Sequence, residues 1–347
     1  MQDHAFSSET SFKQAFDNGL ISLLNKHQSA GTFILALANF IQHPSLLNVN
    51  QPLVKQTYSK LAQQYQLAKE QGLTPDDAAD DYNVMSSLIK LGLDNISPLK
   101  HRSCGDEKWS LYFNQLRSFR PERMSATHIE SINIDFDKNT FNFNKPFLKK
   151  EIFIEQQLNN KQASLLYNKF PFADYHGLLV LEREQEFNQF LSEEIFHYIY
   201  QLFQDISQTL PEQIIAYNSI GAGASVNHLH FQSCLMKQPL SLFDKQWTHN
   251  NGLTEYPAPC KVFNQAENSW AYINKLQSTN TPFNLIFYNQ RLYCLPRKLN
   301  NQINSSIPQI GWFEMAGGFS LPNRTIFDSI GSTEIARVLK DVCLLKV

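Results

Sequence analysis

The sequence is poor in several things, and each shortage narrows the reading. Five cysteines (Cys104, Cys234, Cys260, Cys294, Cys343) are scattered through 347 residues, odd in number and without a CxxC pair. A disulfide framework or a thiolate zinc site is therefore disfavoured. The residues read as free thiols of a reducing compartment, and the cytoplasm is the expected location. Excess charge is missing too: the formal net charge is −2, which argues against broad attachment to nucleic acid or to an anionic membrane. The most apolar early stretch, Thr32 to Ile41, is too short to span a bilayer. Met1 to Thr10 lacks the basic-then-apolar order of a signal peptide. No internal repeat and no low-complexity segment is present.

Aromatic residues are abundant. Hydrophobic residues make up 42% of the chain, with 26 Phe and 13 Tyr. That is enough for a sizeable core in one large domain or two moderate ones. Residues 11 to about 95 read as helices, beginning with Phe12, Phe16, Leu20, Leu23 and Leu24 at helical spacing. Thr74-Pro75-Asp76-Asp77 reads as a helix start.

After Cys104 the pattern changes. Ile132, Ile134 and Phe136, then Phe141 and Phe143, alternate with polar residues around Asp137-Lys138-Asn139, which predicts a β-hairpin. Strands are predicted at Glu151–Ile154, Ala163–Asn168, Gly177–Leu181, Ile214–Asn218, Val226–Leu235, Asn284–Tyr288 and Arg291–Leu295. A long amphipathic helix is expected from about Glu186 to Leu210 and a last one from Ser332 to about Leu345. The mixture indicates an α+β fold with an antiparallel sheet, divided into a mostly helical region 1–104 and a second unit 105–347.

The chemistry concentrates between Tyr217 and Gln232. On a strand from Val226 to Leu235, His228, His230 and Gln232 share one face while Leu229 and Phe231 enter a core. The preceding Gly221-Ala222-Gly223-Ala224-Ser225 is almost without side-chain bulk, so its backbone can approach a phosphate and donate N–H groups. Imidazole is neutral and nucleophilic near pH 7, and can carry a nucleotide covalently between two partners. An amide at Gln232 can hold a phosphate oxygen but cannot titrate, which favours a phosphate acceptor over water. An HxH pair alone can equally be a metal-ligand pair.

The run from Ala216 to Gln232 resembles the active-site segment of the GDP-hexose phosphorylases in the histidine-triad superfamily. That superfamily also holds galactose-1-phosphate uridylyltransferase and the diadenosine tetraphosphate phosphorylases. Tyr167-Asn168-Lys169-Phe170-Pro171 with His176-Gly177-Leu178 resembles the strand–turn–strand around the nucleotide, in a version closer to the diadenosine tetraphosphate phosphorylases. Phe136 to Phe143, Asn114 to Arg120, Tyr293 to Arg297 and Trp312 to Gly318 also resemble the GDP-hexose branch.

The resemblance implies a duplicated histidine-triad fold with flanking helices and an added N-terminal helical region. His230 is then the nucleophile, His228 its orienting or electrostatic assistant, and Gln232 a phosphate-binding amide. Asn218, Ser225, Asn227, Asn168, Lys169, His176, Arg117 and Arg120 are the implied substrate contacts. The implied reaction cleaves a nucleoside diphosphate–hexose with phosphate. The rival expectations are cleavage of a dinucleoside polyphosphate and a nucleotide-binding module without turnover. No metal and no cofactor is expected. The expected partners are a nucleotide-sugar or dinucleotide and phosphate, with no nucleic acid and no membrane, and a homodimer is a possible assembly.

Two departures stand out: the helical insert at about 34–100, readable as a lid, a dimer surface or a subdomain, and Gly223, where relatives carry a bulky aromatic and a wider sugar pocket is expected. Arg102 and Arg123 are further candidate phosphate cations. Glu314 reads either as a carboxylate orienting a site group or as a turn cap. His101 and Cys104 have a metal-ligand spacing with no second pair. His197, inside the long helix, reads as structural. The polar, aromatic loop from Lys237 to Pro259 could border a site.

Overall fold

The computed structural model describes residues 5–106, 109–120, 129–299, 302–303, 305, 307 and 310–344. Arg123 lies outside the described residues. The chain opens with helices α1 (Glu9–Lys26), α2 (Ala30–Gln42), α3 (Pro44–Glu70) and α4 (Ala79–Leu91). Ser8 caps α1 by accepting from the Ser11 N–H, and Ser29 caps α2 by accepting from Thr32. Every residue of α2 is buried, as expected of a helix that is apolar all round. The predicted start at Thr74 does not hold. α4 begins only at Ala79, and the Asp77 carboxylate accepts from the Tyr65 hydroxyl on α3 at 2.8 Å instead of capping a helix.

Next come β1 (Lys100–Cys104) and β2 (Trp109–Phe113), then β3 (Ile152–Leu158), β4 (Lys161–Tyr167) and β5 (Asp174–Leu181). α5 (Glu193–Thr209) leads to β6 (Gln213–Asn218) and β7 (Phe231–Leu235). β8 (Lys261–Phe263), α6 (Ala266–Ser278), β9 (Phe283–Tyr288) and β10 (Arg291–Pro296) follow. The chain ends through α7 (Trp312–Met315), β11 (Gly318–Leu321), α8 (Arg324–Ser329) and α9 (Ser332–Val342). The fold is α+β. An eight-stranded antiparallel sheet runs β3-β4-β5-β7-β6-β9-β10-β8, and a three-stranded sheet runs β1-β2-β11 with β11 parallel to β2.

One face of the large sheet carries Tyr217, Phe231, Phe283 and Leu285, with Leu229 beside them. It is sealed by α5 through Ile195, Ile199, Phe203 and Ile206. The other face carries Ala216 and Ile286 and meets Trp312 and Phe313 of α7. α5 starts later than its sequence stripe, because Ser192 caps it by accepting from Ile195. Phe187, ahead of that cap, stays 39% exposed.

The helical region packs on the turn between β4 and β5. Asn39 donates to the Asn168 carbonyl at 3.0 Å and Gln42 to that of Pro171 at 3.1 Å. Tyr167 and Phe170 lie in the same core as α1 to α4. The insert is thus a buttress for residues 168–171.

The predicted hairpin between Ile132 and Phe143 is absent: no strand forms over those residues. The turn forms, with Thr140 N–H donating to Asp137 O, but its arms do not pair. The Ile134 and Asp135 carbonyls instead accept from the Asn227 amide, and Phe136 and Phe143 pack their rings against His228. The alternation of apolar residues reflects contact with a neighbouring segment rather than a strand.

Candidate active site

The predicted strand from Val226 is also shorter than expected. Residues 226–230 are irregular and β7 begins at Phe231, so the two histidines do not share a strand face with Gln232. The inward placement of Leu229 and Phe231 holds, both lying in the α5-covered core.

His230 is 5% exposed. Its Nδ1 lies 2.8 Å from the His228 carbonyl oxygen. A carbonyl can only accept, so Nδ1 carries the proton and Nε2 keeps its lone pair. Nε2 makes no hydrogen bond among the described residues. The Phe143 ring stands edge-on at 5.1 Å. Burial, opposed by the bond to the His228 carbonyl, lowers its pKa to about 4. The imidazole is therefore neutral at pH 7.

His228 is also buried, but fully engaged. Phe143 N–H donates to Nδ1 at 3.1 Å, and Nε2 donates to the Arg183 carbonyl at 3.0 Å. Desolvation, with the neighbouring His230 adding to it, lowers its pKa to about 4. Its ring anchors the 136–143 loop, and the group it offers His230 is its backbone carbonyl.

Gln232 points its Oε1 at two donors, the Trp312 indole at 2.8 Å and His176 Nε2 at 3.2 Å. His176 is fully buried and receives Phe172 N–H on Nδ1 at 3.5 Å, which leaves the proton on Nε2. Burial, and then Arg117, lowers its pKa to about 3. With Oε1 fixed by two N–H groups, the Gln232 amide nitrogen must face away from them.

The loop before the histidines turns at Gly221 (φ 77°) and Gly223 (φ 103°). The N–H groups of Gly223, Ala224, Ser225 and Val226 have no hydrogen-bond partner among the described residues. Successive free N–H groups form an anion-binding concavity. Arg297, fully buried, sits behind the loop and donates through Nη1 to Ile310 O at 2.6 Å and to Ala222 O and Asn284 Oδ1, each at 3.4 Å. Burial lowers its pKa to about 10, so it stays charged at pH 7. Gly223 does not open a pocket as expected: a Cβ there would lie 2.9 Å from Gly311 Cα and 3.1 Å from Ile310 O. Backbone already fills that space.

Several predicted contacts are occupied within the fold. Asn218 Oδ1 accepts from Asn284 at 2.7 Å and from Trp312 N–H at 3.0 Å. The Asn227 amide holds Ile134 and Asp135 and accepts from Gln189 N–H. Lys169 pairs with Asp81 of α4. Asn168 accepts from Phe170 N–H through Oδ1, while its Nδ2 lies 3.3 Å from His176 Nε2. Arg117 donates to Phe170 O and lies 5.1 Å above the Phe172 ring; burial lowers its pKa to about 9. The positive charges of Arg117 and Arg120 both add to the lowering of the His176 pKa. Ser225 is half-buried and has no side-chain hydrogen bond among the described residues.

Arg102 is spent on the Phe327 and Ile330 carbonyls. Glu314 caps the turn at Gly311, accepting from its N–H at 2.9 Å. His197 lies within α5, 3.8 Å from Glu193. His101 packs on Tyr112, and among the described residues no group of three or more His, Cys, Asp or Glu could hold a metal ion. The loop after β7 seals α7, through Leu242 N–H on the Ala316 carbonyl.

Sequence reasoning misses Gln189, which is 1% exposed and bonded to the His230 backbone. A lone glutamine before a helix carries no signal. It also misses the Trp312 indole and Asn284, whose partners come from distant strands.

The fold is one shared with phosphorylases of the α+β class. Yeast Ap4A phosphorylase Apa2 superimposes with a TM-score of 0.51 at 12% identity, covering 77% of this chain and 95% of that one. Its complex with AMP gives a TM-score of 0.50 at 13% identity, covering 77% and 98%. More particularly, residues 100–234 match the family described as GDPGP1-like, N-terminal domain. GDP-D-glucose phosphorylase 1 of Danio rerio is 32% identical over 134 residues, which is 38% of this chain and 38% of that protein. The family match includes both histidines and the loop before them. No helix among the described residues is long and apolar enough to cross a membrane.

Proposed function

We propose that the protein is a histidine-triad nucleotidyltransferase that cleaves a nucleoside diphosphate–hexose, a GDP-hexose by the likeness of residues 100–234, with inorganic phosphate. The observation that carries this reading is the His230 tautomer. Its proton is pinned on Nδ1 by the His228 carbonyl, so a lone pair is held on Nε2 in a neutral ring. His230 Nε2 attacks the α-phosphorus, the bond to the hexose 1-phosphate oxygen breaks, and the nucleotide rests on the imidazole. A phosphate oxygen then attacks the same phosphorus and releases the nucleoside diphosphate. Splitting the exchange in two lets one site serve both partners.

In this reading the free N–H groups of residues 223–226, Ser225 and the outward nitrogen of Gln232 receive phosphoryl oxygens. Fixed donors of this kind stabilise developing charge without reorganising. Arg117 and Arg120 supply positive potential beside Gln232. Asn218, Asn227 and Asn168 act by holding backbone in place, His176 by holding Gln232, and Lys169 by tying the 168–171 turn to α4. The helical region supports the transferase unit and does not close over it.

The second reading, cleavage of diadenosine tetraphosphate, is favoured by the Asn168-Lys169-Phe170-Pro171 turn. GDP-glucose, GDP-mannose, GDP-L-galactose and diadenosine tetraphosphate, each incubated with the protein in phosphate buffer, separate the two. We expect GDP and a hexose 1-phosphate from a GDP-sugar. ATP and ADP from the dinucleotide, with no GDP from any sugar nucleotide, would replace the first reading by the second.

A further inference from the structure

Strands β6 and β7 pair in register from Gln213↔Leu235 to Ala216↔Gln232 and then stop. Continued, the register would set Asn218 against His230, exchanging N–H and carbonyl directly. It does not, although β6 itself runs to Asn218 and stays paired there with Asn284 of β9. The missing rung is filled by a side chain. Gln189 Oε1 accepts from His230 N–H at 2.9 Å, and its Nε2 donates to His230 O at 3.1 Å and to Asn218 O at 2.9 Å. The primary amide stands in for a peptide group between the two strand ends.

The wedge is itself held from both sides. Gln189 N–H donates to Asn227 Oδ1, and its carbonyl accepts from the Tyr217 hydroxyl at 2.8 Å. Side chain and backbone of one residue thus bind both strands at the point where they separate.

The geometry points to Gln189 as a positioning residue for the nucleophile. By keeping β6 and β7 apart beyond Gln232, it lets residues 226–230 leave the sheet and turn the His228 carbonyl onto His230 Nδ1. That turn selects the tautomer with a free Nε2. Nothing in this role requires contact with the nucleotide-sugar. It rests on the reading of His230 as nucleophile, and its signature lies in the rate of nucleotidyl transfer, not in substrate affinity.

Two variants test it. Gln189→Leu removes all three bonds and should lower kcat by about 100-fold, the scale of an ångström-level misplacement, with KM for the nucleotide-sugar little changed. Gln189→Glu keeps the shape and the acceptor for His230 N–H. Its second oxygen faces two carbonyls. Protonated, it can donate to one of them where the amide donates to both; ionised, it opposes both. Activity of this variant should therefore fall as pH rises, a limb absent from the parent enzyme. A passive packing role would not produce that limb.

If Gln189→Leu does not fold, the near-isosteric Gln189→Glu decides the matter alone. Parent kcat and a parent pH profile in Gln189→Glu would overturn the proposal. His230→Ala is assayed alongside. If it stays active, the nucleophile reading fails. If it is inactive while both Gln189 variants behave as the parent, only the positioning role fails.

Discussion

The eight residues from Gly223 to His230 fall into two halves of opposite character. From Gly223 to Val226 the backbone has N–H groups that find no partner among the described residues, beside a half-buried Ser225. From Asn227 to His230 the polar side chains are spent on the protein: Asn227 on Ile134 and Asp135, His228 on Phe143 and Arg183, and His230 Nδ1 on His228. Among those side-chain nitrogens the exception is His230 Nε2, which has no partner among the described residues. A buried polar group left unpaired is unfavourable, and a run of free donors beside one imidazole lone pair is the arrangement that the proposed reading fills with a phosphorylated substrate. In the proposed reading the first half binds and the second half holds, and one atom of the second half reacts.

That division can be broken in order of expected effect. The largest belongs to His230→Ala, which removes the reacting atom. Turnover of the nucleotide-sugar should fall by more than about a thousandfold, with the melting temperature little lowered. Comparable activity with and without His230 would dissolve the contrast between the halves.

Next is Gly223→Val. It strikes the binding half through its backbone, because φ is 103° and a Cβ would meet Gly311 Cα at 2.9 Å. The expected loss of stability is about 1–3 kcal/mol, with a matching loss of phosphate saturation. A variant that is as stable as the parent and admits larger sugars would restore the open-pocket view.

The third expectation concerns pH. His228 and His230 are held at about 4 and His176 at about 3, all below the ordinary histidine value of 6.5. Above 6.5 both folded and unfolded chains carry these rings neutral, so they contribute no pH dependence. Below it the unfolded chain takes up protons that the folded chain refuses. Stability should fall progressively from about pH 6.5 towards pH 4, read from denaturant midpoints. Activity should not show a nucleophile titrating near 6.5. A rate profile with that inflection would mean His230 is solvated in the working enzyme.

Smallest is Lys169→Met. The ammonium is paired with Asp81 and its side chain is 21% exposed, so a change of at most about 1 kcal/mol in stability is expected, with kcat nearly unchanged. A large fall in kcat would move Lys169 from the buttress to the substrate.

How far the sequence can be read follows from what each signal measures. The stripe from Leu191 to Leu210 and the inward placement of Leu229 and Phe231 are legible, because one covered sheet face imposes a period on both elements. The small-residue loop is legible through composition, and its glycines do take positive φ. The start of β7 is not legible, because Gln189, some forty residues upstream, takes the pairing that residues 218 and 230 would have made. The segment Ile132–Phe143 imitates a hairpin because its aromatics alternate to meet His228 rather than a sheet. Gly223 reads as missing bulk, whereas the Gly311 backbone fills the space. Lys169 and Asn227 read as substrate contacts because a sequence cannot show that Asp81 or Ile134 lies opposite. In each case the difference comes from a partner distant in the chain.

The most direct test is the mass of the intact protein after mixing with a GDP-sugar in the absence of phosphate. The account predicts a gain of one nucleotide, lost on adding phosphate with release of GDP and absent in His230→Ala. Turnover by the parent chain without an adduct, or an adduct that persists in His230→Ala, would contradict it.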